Sequence, residues 1–216
     1  MPDSAALEGW SMIGLLRVAV VLVLGLSVSA CALSEDTVSL QYQPMQNATE
    51  IPGAKQTGIV VSVVDARAEN RDRVSVKKNG YGMEMAAIRS DRDVAGFVKE
   101  AIESELKARG FRVGEGPAQA KADLLKFYND FKIGFFSGDA VAEVAFNIQV
   151  AGSNGAILYS KPISSSGKAA DILLASGSNA KEALENGLRT AIANLMNDPA
   201  FIAAVLKSGT GVKPVS

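Results

Sequence analysis

Residues 140–150 of this 216-residue chain, Ala-Val-Ala-Glu-Val-Ala-Phe-Asn-Ile-Gln-Val, decide its fold class. Large apolar side chains occupy every second position in the second half of this stretch, with smaller or polar residues between them. A period of two predicts a β-strand with one face on the core and the other in a more polar environment. Strands are also predicted at 123–133 and 157–165, and Ser153-Asn154-Gly155 supplies a turn. The three strands therefore predict an antiparallel meander.

The first half of the chain predicts a buried strand followed by a hairpin. Residues 59–64 are β-branched and apolar except for Ser62, at both odd and even positions, as in a strand buried on both faces. Asn79-Gly80 stands between two alternating runs and is a hairpin signal, although Gly82 lengthens the loop. A short edge strand is predicted within residues 38–42.

Two long amphipathic helices are predicted from apolar stripes at helical spacing. Asp91 or Asp93 caps the first, which runs to Arg109, and Ser178 or Asn179 caps the second. The order strands, helix, strands, helix predicts a two-layer α+β domain. We expect one mixed, mostly antiparallel sheet with both long helices packed on one of its faces.

The N-terminal region carries a lipoprotein signal, Val28-Ser29-Ala30-Cys31, after an apolar run. This motif predicts cleavage between Ala30 and Cys31 and attachment of lipid to Cys31, the single cysteine of the chain. The apolar run, residues 18–26, is shorter than the roughly 20 residues that span a bilayer and fits a signal peptide. A covalent lipid on Cys31 is the only prosthetic group that we expect.

The predicted organisation follows from this motif. Residues 1–30 are the signal peptide, 31–56 the lipidated N-terminus and tether, 57–208 a single periplasmic domain, and 209–216 a frayed tail. Acidic Asp3 and Glu8 precede the apolar run, which is unusual in a signal peptide, so Met1 and Met12 are both candidate starts. Ala32 follows the cysteine where an inner-membrane retention signal has aspartate, which favours the outer membrane, on its periplasmic side.

Composition excludes several classes of function. The chain has no histidine, which removes most general-base, catalytic-triad and zinc chemistry. Without residues 1–30 it carries 21 basic and 21 acidic side chains, so its charge gives no reason to expect a nucleic-acid partner. We expect no catalytic residue and no metal site.

Two alternatives remain open. Ser165-Ser166-Gly167-Lys168 matches the Ser-x-x-Lys pattern of penicillin-binding enzymes, but the accompanying Lys-Thr-Gly element is missing. A periplasmic hydrolase using this serine and lysine, or carboxylates, is therefore the weaker alternative. Met83, Met85 and the Phe135-Phe136 pair are candidates for an apolar groove, which would make the protein a carrier of a hydrophobic ligand.

A charged loop after the first strong strand is the candidate contact surface. Its candidate residues are Asp65, Arg67, Arg71 and Asp72, and acidic and basic side chains alternate along it. Their spacing does not match a calcium-binding loop. Because loops carry function disproportionately, we expect any partner to contact this segment.

Five short motifs carry a family resemblance. They are the lipobox cysteine, Val63-Val64-Asp65-Ala66-Arg67, Ser90-Asp91-Arg92-Asp93-Val94, Lys107-Ala108-Arg109-Gly110-Phe111-Arg112-Val113-Gly114 and Ala122-Asp123-Leu124. With these motifs the chain resembles the YajG family of uncharacterised bacterial lipoproteins over almost its whole mature length. The resemblance implies an outer-membrane lipoprotein with a periplasmic domain and no established catalytic residues, and only the lipidated cysteine carries over, onto Cys31. We therefore expect a non-enzymatic binding or assembly module whose partner is an envelope protein or the cell wall.

Overall fold

The computed structural model describes residues 34–134 and 136–209, and the described residues from Asp36 onward belong to one compact unit. The strands are β1 (Asp36–Val38), β2 (Gly58–Asp65), β3 (Ser75–Lys78), β4 (Glu84–Ser90), β5 (Arg112–Val113), β6 (Ala118–Ile133), β7 (Gly138–Ala151) and β8 (Ile157–Ile172). The helices are α1 (Val94–Ala108), α2 (Gly177–Met196) and α3 (Pro199–Gly209), and a 3-10 turn spans Ala54–Gln56. The expected α+β class is confirmed.

The larger sheet contains five strands in the order β5-β2-β6-β7-β8. β6, β7 and β8 form the expected antiparallel meander, whereas β5 and β2 join the sheet in parallel. Along β7 the side chains of Val144, Phe146, Ile148 and Val150 are fully buried, and the residues between them are more exposed. One face of the meander therefore lies on the core, as the alternation predicts.

β2 differs from its sequence-based expectation. Ile59 and Val61 are buried, but Ser62 is exposed and the side chain of Val64 is half exposed. The prediction of burial on both faces is therefore wrong. Helices cover only one face of the sheet here, so the apolar residues of even number along β2 face outward.

The other three strands form a second sheet in the order β1-β4-β3. β1 pairs in parallel with β4, and β3 and β4 form the predicted hairpin around Asn79-Gly80. The expectation of a single sheet is therefore wrong. Pairing of β2 with β6 ends at Leu124. Farther along β6, the Asn129 amide donates to the carbonyl of Val74, just before β3, at 2.8 Å, and Ser75 Oγ of β3 donates to the carbonyl of Asn129 at 2.9 Å.

The two long helices begin at side-chain caps. Asp93 caps α1, and its Oδ2 accepts a hydrogen bond from the Gly96 amide at 2.6 Å. Ser176 caps α2 by accepting from the Asn179 amide at 3.4 Å, so the predicted caps Ser178 and Asn179 lie inside the helix. The difference arises because serine and asparagine are both good capping residues, and composition alone does not choose among neighbours.

Helix packing completes the core. α1 packs against β2, α2 packs across β6, β7 and β8, and the two helices contact each other. The rings of Phe97 on α1 and Phe127 on β6 meet edge to face, with centroids 6.2 Å apart. In the part of the chain that the structure describes, no helix is both long enough and apolar enough to cross a membrane.

Residues 36–56, expected to be part of a tether, contribute to the core. Val38 and Leu40 are buried there. Farther along, the fully buried Glu105 of α1 accepts hydrogen bonds from the Tyr42 hydroxyl at 2.9 Å and the Met45 amide at 2.7 Å, and it pairs with Arg109. These contacts attach the segment to α1.

Candidate contact site

The loop between β2 and β3, residues 66–74, lies where β6 changes partner from one strand to the next; we call it the arginine loop. The Ala66 amide still donates to the carbonyl of Leu124 at 2.9 Å, and Val74 already accepts from Asn129. The loop therefore spans a gap in the pairing of β6. Buried backbone groups in such a gap need other partners.

Arg67 fills this gap. Its side chain is buried, with Nε and Nη2 each donating to a carboxylate oxygen of Asp65 at 2.9 Å. The same guanidinium donates to the carbonyls of Asn70 at 3.1 Å and Arg71 at 3.0 Å, and it approaches the carbonyl of Phe127 at 3.5 Å. A planar fork of five donors suits this task, because it can reach several acceptors at once. Arg67 thus holds the loop in shape from beneath.

The ion pair also sets the charge of Asp65. The hydrogen bond from Arg67 has the largest effect on the pKa of the Asp65 carboxyl. It lowers this pKa below its ordinary value, although burial opposes the change. Arg71 adds a longer contact, with Nε 3.7 Å from Oδ2 of Asp65. Asp65 is therefore ionised at neutral pH and is engaged inside the protein.

The outer surface of the loop is formed by Arg71, Asp72 and Arg73. Arg71 is largely exposed, and Arg73 Nε donates to Oδ1 of Asn70 at 3.0 Å. Arg89 of β4 reaches Asp72, with Nη1 2.9 Å from Oδ2. Of the four candidate residues, Arg71 and Asp72 thus face outward, whereas Asp65 and Arg67 support them from inside.

A small polar cavity of about 100 Å³ lies between the arginine loop and the N-terminus of α1. Arg71 and Arg73 line it from the loop, and Arg92 and Asp93 line it from the helix. Arg92 is held by an ion pair with Glu100. Sequence reasoning did not assign Arg89 and Arg92 to the site, because strand pairing and helix placement bring them to the loop from other parts of the chain; Arg73 lies in the loop itself but was not among the four candidate residues.

Two further depressions flank this surface. One, of about 200 Å³, lies on the other side of the loop beside Leu125, where β6 contains a bulge. The second, an open groove of about 400 Å³, is lined by Leu40, Tyr42 and Phe97 together with Arg92, which also lines the polar cavity. Arg92 therefore separates a polar recess from a more apolar groove.

The structure does not bring the Ser-x-x-Lys residues together. Ser165 and Lys168 are three positions apart on β8, so their side chains point to opposite faces of the sheet. Ser165 Oγ donates to the carbonyl of Gly187 at 2.7 Å, and Lys168 pairs with Asp139 at 2.9 Å. A lysine on the other face cannot assist deprotonation of this serine.

The remaining residues singled out from the sequence are the methionines of the candidate apolar groove, any metal ligands and the residues near the two ends of the chain. Met83 is exposed on the β3–β4 turn, and Met85 is half-buried on β4. Within residues 34–134 and 136–209, no group of three or more acidic, histidine or cysteine side chains is placed to hold a metal ion. Ala30, Cys31, Phe135, the predicted signal peptide and residues 210–216 lie outside the described residues.

Comparison with known proteins gives a family and a fold. The sequence model of a family described as uncharacterised lipoproteins matches residues 44–205, whereas no curated protein matches the chain. The fold is similar to that of a DUF330-family protein from Xanthomonas campestris, with a TM-score of 0.56 at 10% identity over 79% of this chain and 96% of that one. A minor lipoprotein from Acinetobacter baumannii is less similar, with a TM-score of 0.41 at 7% identity over 68% and 93% of the two chains. The family match covers most of the chain and confirms the YajG-like resemblance, so this chain belongs to a family of uncharacterised lipoproteins.

Proposed function

We propose that this protein is anchored by lipid on Cys31 to the outer membrane, faces the periplasm, and acts as a non-enzymatic binding or assembly module. Its membership of a lipoprotein family and the Val28-Ser29-Ala30-Cys31 motif support the anchor. The observation that carries the binding role is the buried Arg67 beneath the arginine loop.

Preorganisation is the physical reason for this choice. A loop that becomes ordered only on binding loses conformational entropy at that moment, which weakens the complex. Hydrogen bonds from Arg67 to the carbonyls of Asn70 and Arg71 fix the loop in the free protein. The outer side chains Arg71, Asp72 and Arg73 are therefore presented on a support that is already ordered.

The charge of this surface supports a proposal for the chemistry of the partner. Arg71, Arg73, Arg89 and Arg92 supply four guanidinium groups near the polar cavity, and acidic side chains such as Asp72 are interspersed with them. Guanidinium groups bind carboxylates in a two-pronged geometry. An envelope protein with exposed aspartate and glutamate side chains fits such a mixed surface.

The anchor is tested by Cys31→Ser, by globomycin treatment and by membrane fractionation. The wild-type protein is expected in the outer-membrane fraction, and the variant is expected to remain unprocessed and to be lost from it. A Cys31→Ser protein that is processed normally and stays in the outer membrane would disprove the anchor.

The contact surface is tested with a photo-crosslinking amino acid at Arg71 in intact cells. A discrete crosslinked envelope protein is expected, whereas the same probe at Asn154, in the turn between β7 and β8, serves as the control. Crosslinks to glycan or peptide of the cell wall would show instead that the partner is the cell wall and not an envelope protein. Equal, nonspecific crosslinking from both positions would count against the surface.

A hydrophobic carrier is the second candidate. The open groove of about 400 Å³ beside Leu40, Tyr42 and Phe97 favours it, because this volume falls within the range of small-molecule sites. Mass spectrometry of the natively purified protein should then detect a co-purified apolar molecule. Its release by Gln41→Trp, at an exposed position of the groove, would place that molecule in the groove, and protein without any bound molecule would eliminate this candidate.

A further inference from the structure

Exposed apolar side chains gather at one end of the long strands. Tyr81 and Met83 lie on the β3–β4 turn and are 91% and 59% exposed, and Phe136 on the β6–β7 turn is 88% exposed. Leu173 and Leu174, between β8 and α2, are 84% and 75% exposed. We call these five residues the apolar rim. Exposed apolar clusters of this kind mark interaction surfaces.

Contacts of named residues connect the rim to the start of β1. Gly138 pairs with Ile172, which places Leu173 beside the β6–β7 turn. The Gly177 amide then donates to Oδ2 of Asp36 at 3.0 Å, so the loop that carries Leu173 ends at the first residue of β1.

The β3–β4 turn is attached to the same point. Lys77, near the end of β3, places its Nζ 2.8 Å from Oδ1 of Asp36. β1 also runs parallel to β4 with Asp36 opposite Ile88, so the N-terminal end of β1 points toward the β3–β4 turn, and Asp36 pairs four positions beyond Glu84, the first residue of β4. The turns that carry the rim are thus linked to Asp36.

The length of chain before Asp36 limits how far the rim can be from a membrane. Asp36 lies five positions after Cys31 in the chain, and five residue steps span at most about 18 Å when fully extended. β7 has 14 residues, and at the ordinary rise of a strand it is about 45 Å long. Lipid on Cys31 would therefore keep the end with the apolar rim near the bilayer and leave the β7–β8 turn far from it.

We propose that the apolar rim inserts into the interfacial region of the bilayer, so that the domain stands on the membrane with its long strands pointing away. This inference rests on the proposed lipidation of Cys31. Tyrosine, phenylalanine and leucine are side chains that favour the membrane interface. The short tether makes the contact intramolecular, so even a weak insertion is populated.

Charge near the rim favours no particular lipid headgroup. Lys78 and Lys132 both contact Asp130 at 2.5 Å, and Lys168 pairs with Asp139. Three lysines thus face three acidic residues, Asp130, Asp139 and Asp171, whose amide donates to Asp139; the charges nearly balance, so the contact depends on apolar insertion. We therefore expect the same docking on zwitterionic and on anionic vesicles.

The test uses the lipidated mature protein in phosphatidylcholine vesicles that contain a spin-labelled lipid. Leu173→Cys carries an environment-sensitive fluorophore at the rim, and Ile157→Cys, an exposed apolar position at the far end of β8, is the matched control. The label at position 173 is expected to shift to the blue and to lose intensity to the spin label. The label at position 157 is expected to do neither.

Other outcomes separate this inference from the anchor. Protein that fails to float with the vesicles would overturn the anchor and the docking together. Protein that floats but leaves position 173 as unquenched as position 157 would overturn the docking alone. A blue shift without quenching would assign the rim to a second protein chain, which also overturns membrane insertion. Phe136→Asp with Leu174→Asp should abolish the quenching at position 173 while flotation persists.

Discussion

Gly167 of β8 and Gly187 of α2 lie so close that a Cβ atom on Gly167 would be 2.1 Å from the Gly187 amide nitrogen. The same atom would be 2.1 Å from the carbonyl oxygen of Ala183. Both neighbours are backbone atoms, which cannot move aside as a flexible side chain can. The contact between helix and strand therefore depends on the missing side chain.

Gly167→Ala should lower the free energy of unfolding by about 1–3 kcal/mol, because an overpacked site must push α2 away from β8. Chemical denaturation of the purified protein measures the change. Gly80→Ala is the matched control, since a Cβ there meets nothing within 4 Å and should leave the stability nearly unchanged. Equal stability of the two variants would contradict the close packing.

Tyr42→Phe should destabilise the protein by about 1.5–3 kcal/mol, because it removes a hydrogen bond to the buried carboxylate of Glu105. Burial, followed by this hydrogen bond, also raises the pKa of the Tyr42 phenol. Thermal unfolding gives the stability, and hydrogen exchange should show faster opening of residues 36–46. Tyr81→Phe, at an exposed position, is the control and should change neither measurement.

Arg67→Ala should lower the free energy of unfolding by about 3–5 kcal/mol, because Asp65 and several carbonyls lose their buried partner. Arg67→Lys should recover little of this loss, since an ammonium group cannot bind both oxygens of Asp65 and reach the carbonyls. Arg71→Ala removes an exposed arginine from the same loop and should cost less than about 1 kcal/mol. Urea denaturation of the three variants would contradict this ranking if Arg71→Ala were the most harmful.

The Asp65–Arg67 pair should also make stability depend on pH. Since the hydrogen bond from Arg67 lowers the folded-state pKa of Asp65, its contribution is complete above the unfolded value of about 3.9 and is lost as the pH falls through the folded value. The difference in unfolding free energy between wild type and Asp65→Asn should thus be large at neutral pH and shrink in acid. Glu69→Gln is the control, because it removes a carboxylate from the same loop and leaves the Asp65–Arg67 pair intact. A difference for Asp65→Asn that stays constant down to acidic pH would refute the assignment.

Local patterns predicted the local parts of the fold. The period-two alternation around Phe146 predicted the meander, and the candidate caps Asp91 and Asp93 with the apolar stripe that follows them predicted α1, because both signals depend on near neighbours in the chain. The division into two sheets depends on contacts between residues such as Val74 and Asn129, which are far apart in sequence. Neither partner carries a sign of this contact in its own segment.

The candidate contact site also depends on contacts between residues that are far apart in the sequence. The run of charges at 65–73 identified the arginine loop. Arg67 and Arg71 are the same residue type, yet Arg67 is buried and supports the loop, whereas Arg71 is exposed on its outer surface. What separates them is the gap along β6, where the carbonyl of Phe127 comes within 3.5 Å of Arg67. Sequence reasoning also placed residues 36–56 in a tether, because the alternation around Leu40 is too short to indicate how deeply that residue is buried.

The attachment of residues 36–46 has a mechanical consequence. A pull on the chain before Asp36 reaches β1 first, and its load falls on the pairing with β4 and on the bonds of Asp36 to Lys77 and Gly177. Farther along the path of force are the bond of the Gln41 amide to Glu185 and then those of Tyr42 and Met45 to Glu105. The first eleven residues of the compact unit therefore detach in stages, because each set of contacts must break before tension passes to the next segment of the chain.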